Sequence, residues 1–217
     1  MKEWADRLAD IARRAGDEIM TVYAQDFAVT EKADASPLTQ ADLAAHRCIV
    51  SLLPDLDGGL PILSEESAHI DWPARRAWSR YWLVDPLDGT REFIKKNGEF
   101  TVNIALIDRG VPVLGAVYAP AMDWLLVGGH GIGARWQQGA QSGIARVAGA
   151  PHPLRVAASR SHRDITTQAY LDRIGSVDTV GLGSSLKFCK IATGEVDLYP
   201  RFGPTSEWDT AAAQAVL

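Results

Sequence analysis

Tyr81-Trp-Leu-Val-Asp-Pro-Leu-Asp-Gly-Thr90 is the stretch whose reading decides the fold. Its apolar run, Trp82-Leu83-Val84, reads as a buried strand. Asp85-Pro86 is expected to stop that strand, because proline has no N–H to give to a sheet ladder. Gly89 then supplies a turn. Asp85 and Asp88 therefore stand three residues apart at a strand end. Ionised acids buried there are costly unless something cationic balances them. Hard divalent cations bind carboxylate and carbonyl oxygens, and Mg²⁺ does so while keeping waters and room for a substrate phosphate. Asp-Pro and Asp-Gly are also common turn dipeptides, so the tetrad alone leaves a turn and a metal site both open.

Working outward, the spacing of Leu8, Ile11, Ala12, Ala15, Ile19 and Val22 predicts a helix over 3–24, with Arg13, Arg14, Asp17 and Glu18 toward water. Residues 25–37 are polar and read as a loop or hairpin. Thr39 can cap a second helix through about Leu53, with Pro54 ending it. Asp42 falls in that helix's first turn, where it complements the helix dipole by roughly 0.3–1 kcal/mol. Asp55 to Gly59 reads as a turn, Leu60 to Ser64 as a short strand, and 67–80 as irregular. Thr90 to Gly98 is a short helical or coiled segment. Phe100 to Ile107 and Val111 to Tyr118 predict a hairpin around Asp108-Arg109-Gly110, and Trp124 to Val127 a further strand. The glycine-rich stretch 128–133 opens no helix, which excludes a dinucleotide fingerprint.

Composition shifts near Gln137 to Pro153, which reads as a domain junction. Residues 1–145 then form an N-terminal α+β part carrying the metal site, and 146–217 a C-terminal α/β part. In the latter, strands over Leu154–Ala158, Val177–Val180 and Val196–Tyr199 alternate with helices over Asp164–Ile174, Ser184–Thr193 and Glu207–Leu217.

The chain has 217 residues, 47% hydrophobic and 23% charged, with a net charge of −5. That is an ordinary globular composition. Without a basic run, a nucleic acid polymer is excluded as a partner, whereas a small phosphorylated substrate is compatible if a metal supplies local positive charge. Cys48 and Cys189 form no Cys-x-x-Cys pair and sit in apolar helical patterns, which fits inert core thiols. No secretory segment opens the chain, and no apolar run approaches the ~20 residues of a membrane span. The expectation is a cytoplasmic protein. Peripheral inner-membrane association, and either a monomer or a homodimer, are compatible with it.

Four acids sit at element boundaries: Glu65, Asp85, Asp88 and Asp209, the last opening a helix after Ser206-Glu207-Trp208. Boundaries let a fold aim side chains from different elements at one cleft. Such a set can hold two metal ions about 3.5–4 Å apart, the arrangement that clamps attacking and leaving oxygens in phosphoryl displacement. Thr90 can orient the attacking water. The amides of Gly89 and Thr90 can receive phosphate oxygens, and the Asp209 helix is expected to point its N-terminus at the same anion.

These residues also carry a resemblance. Trp82-Leu-Val-Asp-Pro-Leu-Asp-Gly-Thr90 and Trp208-Asp-Thr-Ala-Ala-Ala213, with Ser64-Glu65-Glu66-Ser67 between Asp42 and the first signature, closely resemble the lithium-sensitive, Mg²⁺-dependent phosphatase superfamily that includes inositol monophosphatase. Arg91-Glu-Phe-Ile-Lys-Lys-Asn-Gly-Glu-Phe-Thr-Val-Asn103, Ser159-Arg-Ser-His162, Gly183-Ser-Ser-Leu-Lys-Phe-Cys189 and Leu198-Tyr-Pro-Arg-Phe-Gly-Pro-Thr205 look most similar to its CysQ branch, the 3′(2′),5′-bisphosphate nucleotidases. The resemblance implies a layered α-β-α-β-α sandwich. It also implies hydrolysis of the 3′-phosphate of adenosine 3′,5′-bisphosphate to AMP, by direct attack of a metal-activated water, in sulfur metabolism.

The resemblance assigns the residues as well. Glu65, Asp85 and the Leu87 carbonyl would hold a first Mg²⁺, and Asp85, Asp88 and Asp209 a second. Asp42 would help activate water or bind a third, weaker metal. Thr90 and Glu65 would position the nucleophile. Leu87, Asp88, Gly89 and Thr90 would cradle the scissile phosphate, with Asp209 beside it. His162, Ser184, Ser185, Lys187 and Arg201 would contact the nucleoside and second phosphate. His46, His69, His130 and His152 have no ligand spacing. Members of the superfamily run some tens of residues beyond the position of Leu217, so the last C-terminal elements are expected to lie outside these 217 residues. Two alternatives remain: a sugar or polyol phosphatase of the inositol monophosphatase type, and a truncated, non-catalytic nucleotide binder.

Overall fold

The computed structural model describes residues 1–31, 37–67, 70–149, 153–159 and 165–217. Helix α1 (Lys2–Tyr23) buries Leu8, Ile11, Ala12, Ala15 and Ile19, the face the spacing predicts. Strands β1 (Val29–Glu31) and β2 (Pro37–Thr39) pair antiparallel and lead into α2 (Gln40–Asp57). Thr39 caps α2: Ala41 N–H donates to Thr39 Oγ1 at 3.2 Å, and the Thr39 amide donates to Asp42 Oδ2 at 2.7 Å. Pro54 does not end this helix. It lies in the last turn, where its missing N–H costs one hydrogen bond, and the Gly58 amide closes the end onto Pro54 O at 2.9 Å.

Seven strands then form the main sheet: β3 (Ile62–Ser64), β4 (Arg80–Asp88), β5 (Thr101–Asp108), β6 (Val111–Ala119), β7 (Trp124–Gly129), β8 (Gly133–Gln138) and β9 (Gln141–Ile144). They lie side by side in chain order, with β3 parallel to β4 and every other pair antiparallel. Short helices α3 (Trp72–Arg76) and α4 (Thr90–Ile94) flank β4 in sequence. The expected hairpin is β5–β6. The expected junction from Gln137 is instead partly sheet, because β8 and β9 are largely exposed and therefore as polar as a linker.

Helices α1 and α2 cover one face of this sheet, where Leu8, Ile19, Ile49, Leu53, Trp82, Ile104 and Leu106 are fully buried. Each such side chain contributes about 1.5–3 kcal/mol of transfer free energy, far more than any single cap, so this core fixes β4 and β5. The other face, with Leu83, Ala105, Val117 and Leu126, packs against α6 (Leu186–Ala192) and α7 (Ala211–Val216). Helix α7 comes so close that a Cβ on Gly115 of β6 would lie 2.1 Å from Ala212 O. Strands β10 (Leu154–Ser159) and β11 (Val177–Leu182) form a second, parallel sheet joined through α5 (Ile165–Ile174). That is the connection parallel strands require.

The layered α+β fold is therefore the one expected. The strand expected over Val196–Tyr199 reduces to a single bridge, Leu198 to Val156. The Asp197 carboxylate accepts the Arg155 amide at 2.8 Å and its guanidinium at 2.6 Å, and Pro200 follows. Cys189 is buried, and burial pushes its thiol up to about 12; Cys48 is half-buried. Among the described residues no helix is long and apolar enough to cross a membrane.

Candidate active site

Strand β4 does not stop at Asp85-Pro86. It runs to Asp88 through a bulge: Asp85 pairs with Asn103 and Asp88 with Thr101, so three steps on β4 oppose two on β5. Residues three apart on a regular strand point to opposite faces. One extra residue cancels that half-period, and Pro86, with no N–H, sits where the ladder is interrupted. The bulge thus explains why Asp-Pro-Leu-Asp, with its three-residue spacing, puts both acids on one side. Gly89, at φ 92°, then turns the chain into α4.

One carboxylate oxygen each of Asp85, Asp88 and Asp209 lies within 4.8 Å of the others. Asp85 is buried, and its pKa stands well above the carboxylate range. Burial is the main cause, followed by the charges of Glu65, Asp88 and Asp209. Glu65 comes within hydrogen-bonding reach of Asp85, held there because its amide extends the β3–β4 pairing onto Val84 O at 3.0 Å. The Leu87 amide donates to Asp85 Oδ1 at 3.1 Å.

Asp209 is pushed up to about 6, first by burial and then by Asp88, against the Ser206 amide that donates to it at 2.9 Å. It does not open a helix. It closes a 3-10 turn over Glu207–Asp209, and α7 begins two residues later. The backbone there is turned toward Ser206, which the Asp209 carboxylate caps, so no helix N-terminus starts at Asp209. A set of neighbouring acids that raises the pKa of Asp85 and Asp209, with oxygen ligands only, is suited to a hard divalent cation.

Asp42 caps α2 and also reaches Thr90. Its Oδ2 accepts from Thr39, capping α2, and its Oδ1 accepts from Thr90 Oγ1 at 3.2 Å. Leu87 O lies 3.4 Å from the same hydroxyl. On the far side, Ser184 and Ser185 line the cleft and donate to Asp88 Oδ2, at 2.7 and 3.1 Å. Lys187 is buried, which lowers its pKa; its Nζ donates to Ser184 O and, at 3.4 Å, to Leu182 O. Arg201 donates to Pro204 O at 2.7 Å and Thr205 Oγ1 at 3.2 Å. Lys187 and Arg201 nevertheless both line the cleft of ≈ 530 Å³ that Glu65, Asp88 and Asp209 border.

His162 lies outside the described residues, as do His69 and His152. His46 faces Ser64 Oγ at 2.9 Å, and burial, helped by Arg47, lowers its pKa. Sequence reasoning missed Thr101, Asn103 and Tyr199. The signal for the first two was polarity at alternate positions in an otherwise apolar strand.

The sequence model of the inositol monophosphatase family matches residues 1–217. This chain belongs to the inositol monophosphatase family. Within that family it is 52% identical over 213 residues to the 3'(2'),5'-bisphosphate nucleotidase CysQ of Escherichia coli strain K12, spanning 97% of this chain and 85% of that protein. The CysQ of Haemophilus influenzae is 33% identical over 210 residues, 95% of this chain and 78% of that protein. The crystal structure of CysQ from Bacteroides thetaiotaomicron, described as a bacterial member of the inositol monophosphatase family, superposes with a TM-score of 0.86. It shares 42% identity and covers 98% of this chain and 84% of its own. Inositol monophosphatase family members are metal-dependent, and the three-acid cluster is where this member offers carboxylates together.

Proposed function

We propose that this chain is a Mg²⁺-dependent phosphatase that removes the 3′-phosphate of adenosine 3′,5′-bisphosphate, leaving AMP and phosphate. One observation carries the reading: Asp85, Asp88 and Asp209 converge beside a cleft lined by Lys187 and Arg201, in a chain 52% identical to a bisphosphate nucleotidase. Acids on one side and cations on the other suit a substrate with two phosphates, one hydrolysed and one bound.

Burial first, and then the neighbouring acids, raise the pKa of Asp85 and Asp209, as expected of an acidic cluster suited to cations. Glu65, Asp85 and the Leu87 carbonyl would hold one Mg²⁺, and Asp85, Asp88 and Asp209 a second, with Asp42 available to a third and weaker ion. Bound there, such ions would supply Lewis-acid polarisation of the phosphoryl oxygens and a lowered pKa for water. The protein's own groups do the positioning. Thr90 Oγ1, fixed between Asp42 and Leu87 O, and Glu65 orient the attacking water. The turn amides of Gly89 and Thr90 receive the scissile phosphate beside Leu87 and Asp88. Lys187 and Arg201 supply positive charge to the second phosphate, and Tyr199, whose ring Lys187 overlies at 5.1 Å, also lines the cleft. Ser184 and Ser185 serve the substrate through Asp88, and His162 joins the nucleoside contacts.

A phosphate-release panel tests this. Adenosine 3′,5′-bisphosphate is expected to exceed inositol 1-phosphate and fructose 1,6-bisphosphate by at least about tenfold in kcat/KM, with all release abolished by a chelator. Equal or inverted preference rejects the nucleotide reading. Tight nucleotide binding by calorimetry without phosphate release over hours rejects catalysis.

A further inference from the structure

Strand β5 runs through the sheet interior, and from Thr101 to Ile107 every residue is buried. Thr101 is 0% and Asn103 1% exposed. Polar groups this deep destabilise the fold unless their hydrogen bonds are made, so where these bonds go matters. Asn103 Nδ2 donates to Ser185 Oγ at 3.0 Å and reaches Asp88 Oδ2 at 3.5 Å. Its Oδ1 lies 2.9 Å from Thr101 Oγ1, which is also 2.6 Å from Ser184 Oγ, so the single Thr101 proton serves one or the other. Ser184 in turn donates to Asp88 Oδ2 at 2.7 Å, and the single Ser185 proton serves either Asp88 Oδ2 at 3.1 Å or Asp209 O at 3.0 Å.

Two hydrogen-bond routes thus lead from β5 toward one oxygen of Asp88, through Ser184 and through Ser185. Among the described residues all hydrogen bonds to the Asp88 side chain fall on Oδ2. Every one of these donors is neutral, so they hold the carboxylate in one rotamer without cancelling its charge. With Oδ2 occupied, Oδ1 is the oxygen left to a ligand.

We infer that Asn103, steadied by Thr101, is a positioning residue that presents Asp88 to a divalent cation, a role that rests on the metal reading of the acid cluster. Asn103 touches neither cation nor substrate; it acts through Ser185 and Asp88. Partners behind a metal ligand typically set affinity by about 10–100-fold. The register explains why β5 holds this post. The β4 bulge sets Asp85 opposite Asn103 and Asp88 opposite Thr101, so Thr101 and Asn103, two apart, face the same side as the acids.

The test titrates MgCl₂ into the substrate-free 217-residue chain by calorimetry, for wild type, Asn103→Ala and Thr101→Val. Asn103→Ala is expected to weaken Mg²⁺ about tenfold or more, and Thr101→Val, which keeps the side-chain shape, about three- to tenfold. The Mg²⁺ needed for half-maximal phosphate release should rise in parallel, while kcat at saturating Mg²⁺ and KM for adenosine 3′,5′-bisphosphate stay within about threefold. A merely structural role would lower the thermal midpoint and leave Mg²⁺ affinity within twofold, and that result overturns the proposal. If Asn103→Ala does not fold, the isosteric Thr101→Val decides on the same criterion. A wild-type chain that binds no Mg²⁺ overturns the metal reading and this proposal with it; a wild type that binds and variants that match it overturn the proposal alone.

Discussion

In the first half of the chain the acids are aimed by sheet register, and in the second half by turns and side-chain hydrogen bonds. Asp85 and Asp88 stand on a strand locked into β5 and covered by the α1–α2 core. Asp209 stands on a 3-10 turn held by the Ser206 amide and by α7 against β6. Ser184 and Ser185 stand on a loop fastened by the Gly183 amide to Glu99 Oε2 at 2.8 Å and by Lys187 beneath. A ladder position is shared with the whole core, so it fails only when the core does. A turn position rests on a few contacts and can be lost singly. Catalytic geometry built from both should therefore break in two distinguishable ways.

The sharpest break is Asp85→Asn. Removing the charge shared within the cluster should cut phosphate release about 10³-fold, since cation stabilisation of several kcal/mol at 1.36 kcal/mol per tenfold is lost. The metal-free protein should unfold at a higher temperature, because a buried charge facing three acids is relieved. Unchanged turnover with Mg²⁺ would contradict the metal model. Next is Gly115→Ala. Its Cβ would meet Ala212 O at 2.1 Å, so α7 must retreat and carry the Asp209 turn with it. Urea denaturation should show a loss of about 1–3 kcal/mol, accompanied by weaker Mg²⁺ binding. A stability loss with Mg²⁺ affinity intact would separate α7 from the site.

Arg201→Ala probes the loop side alone. KM for adenosine 3′,5′-bisphosphate should rise about tenfold, the scale of one charged hydrogen bond, while a substrate with a single phosphate is unaffected; equal changes for both would remove Arg201 from second-phosphate binding. Thr39→Ala should cost about 1 kcal/mol through the α2 cap. It should also lower kcat modestly, as Asp42 and then Thr90 loosen; stability loss without any kcat change would confine Asp42 to capping.

The smallest effect concerns Asp197. Its hydrogen bonds from Arg155 hold its pKa below the usual value. A depressed carboxylate contributes stability fully above its unfolded pKa of about 3.9, and that contribution disappears as pH falls through the lower folded value. Asp197→Asn should therefore lower thermal stability near pH 7 and flatten its decline below about pH 4. An unchanged acid decline would show that the pair does not brace β10.

The sequence made most of the first half legible, because its signals are strong there: a 3.6-residue apolar period for α1, Thr39 before Asp42 for α2, and paired β-rich runs around Asp108-Arg109-Gly110 for β5–β6. It misread places where tertiary structure overrides local preference. Pro54 sits inside α2 because the last turn tolerates a missing N–H. Pro86 sits inside β4 because a bulge absorbs it. The end of β8 and all of β9 fell within the expected junction because an exposed sheet margin is polar. The acids were legible from their spacing and motif context, but their shared face was not, since it depends on a one-residue slip between β4 and β5 visible only in the paired strands. The serines were legible as cleft residues, but their bonds to Asp88 were not, because nothing local reveals them.

The most direct measurement is anomalous scattering from crystals of this chain grown with MnCl₂, Mn²⁺ standing in for Mg²⁺. Strong peaks ligated by Asp85, Asp88 and Asp209, with Glu65 at the Asp85 side, are the predicted result. Manganese at saturating concentration with no peak between those carboxylates would contradict the account.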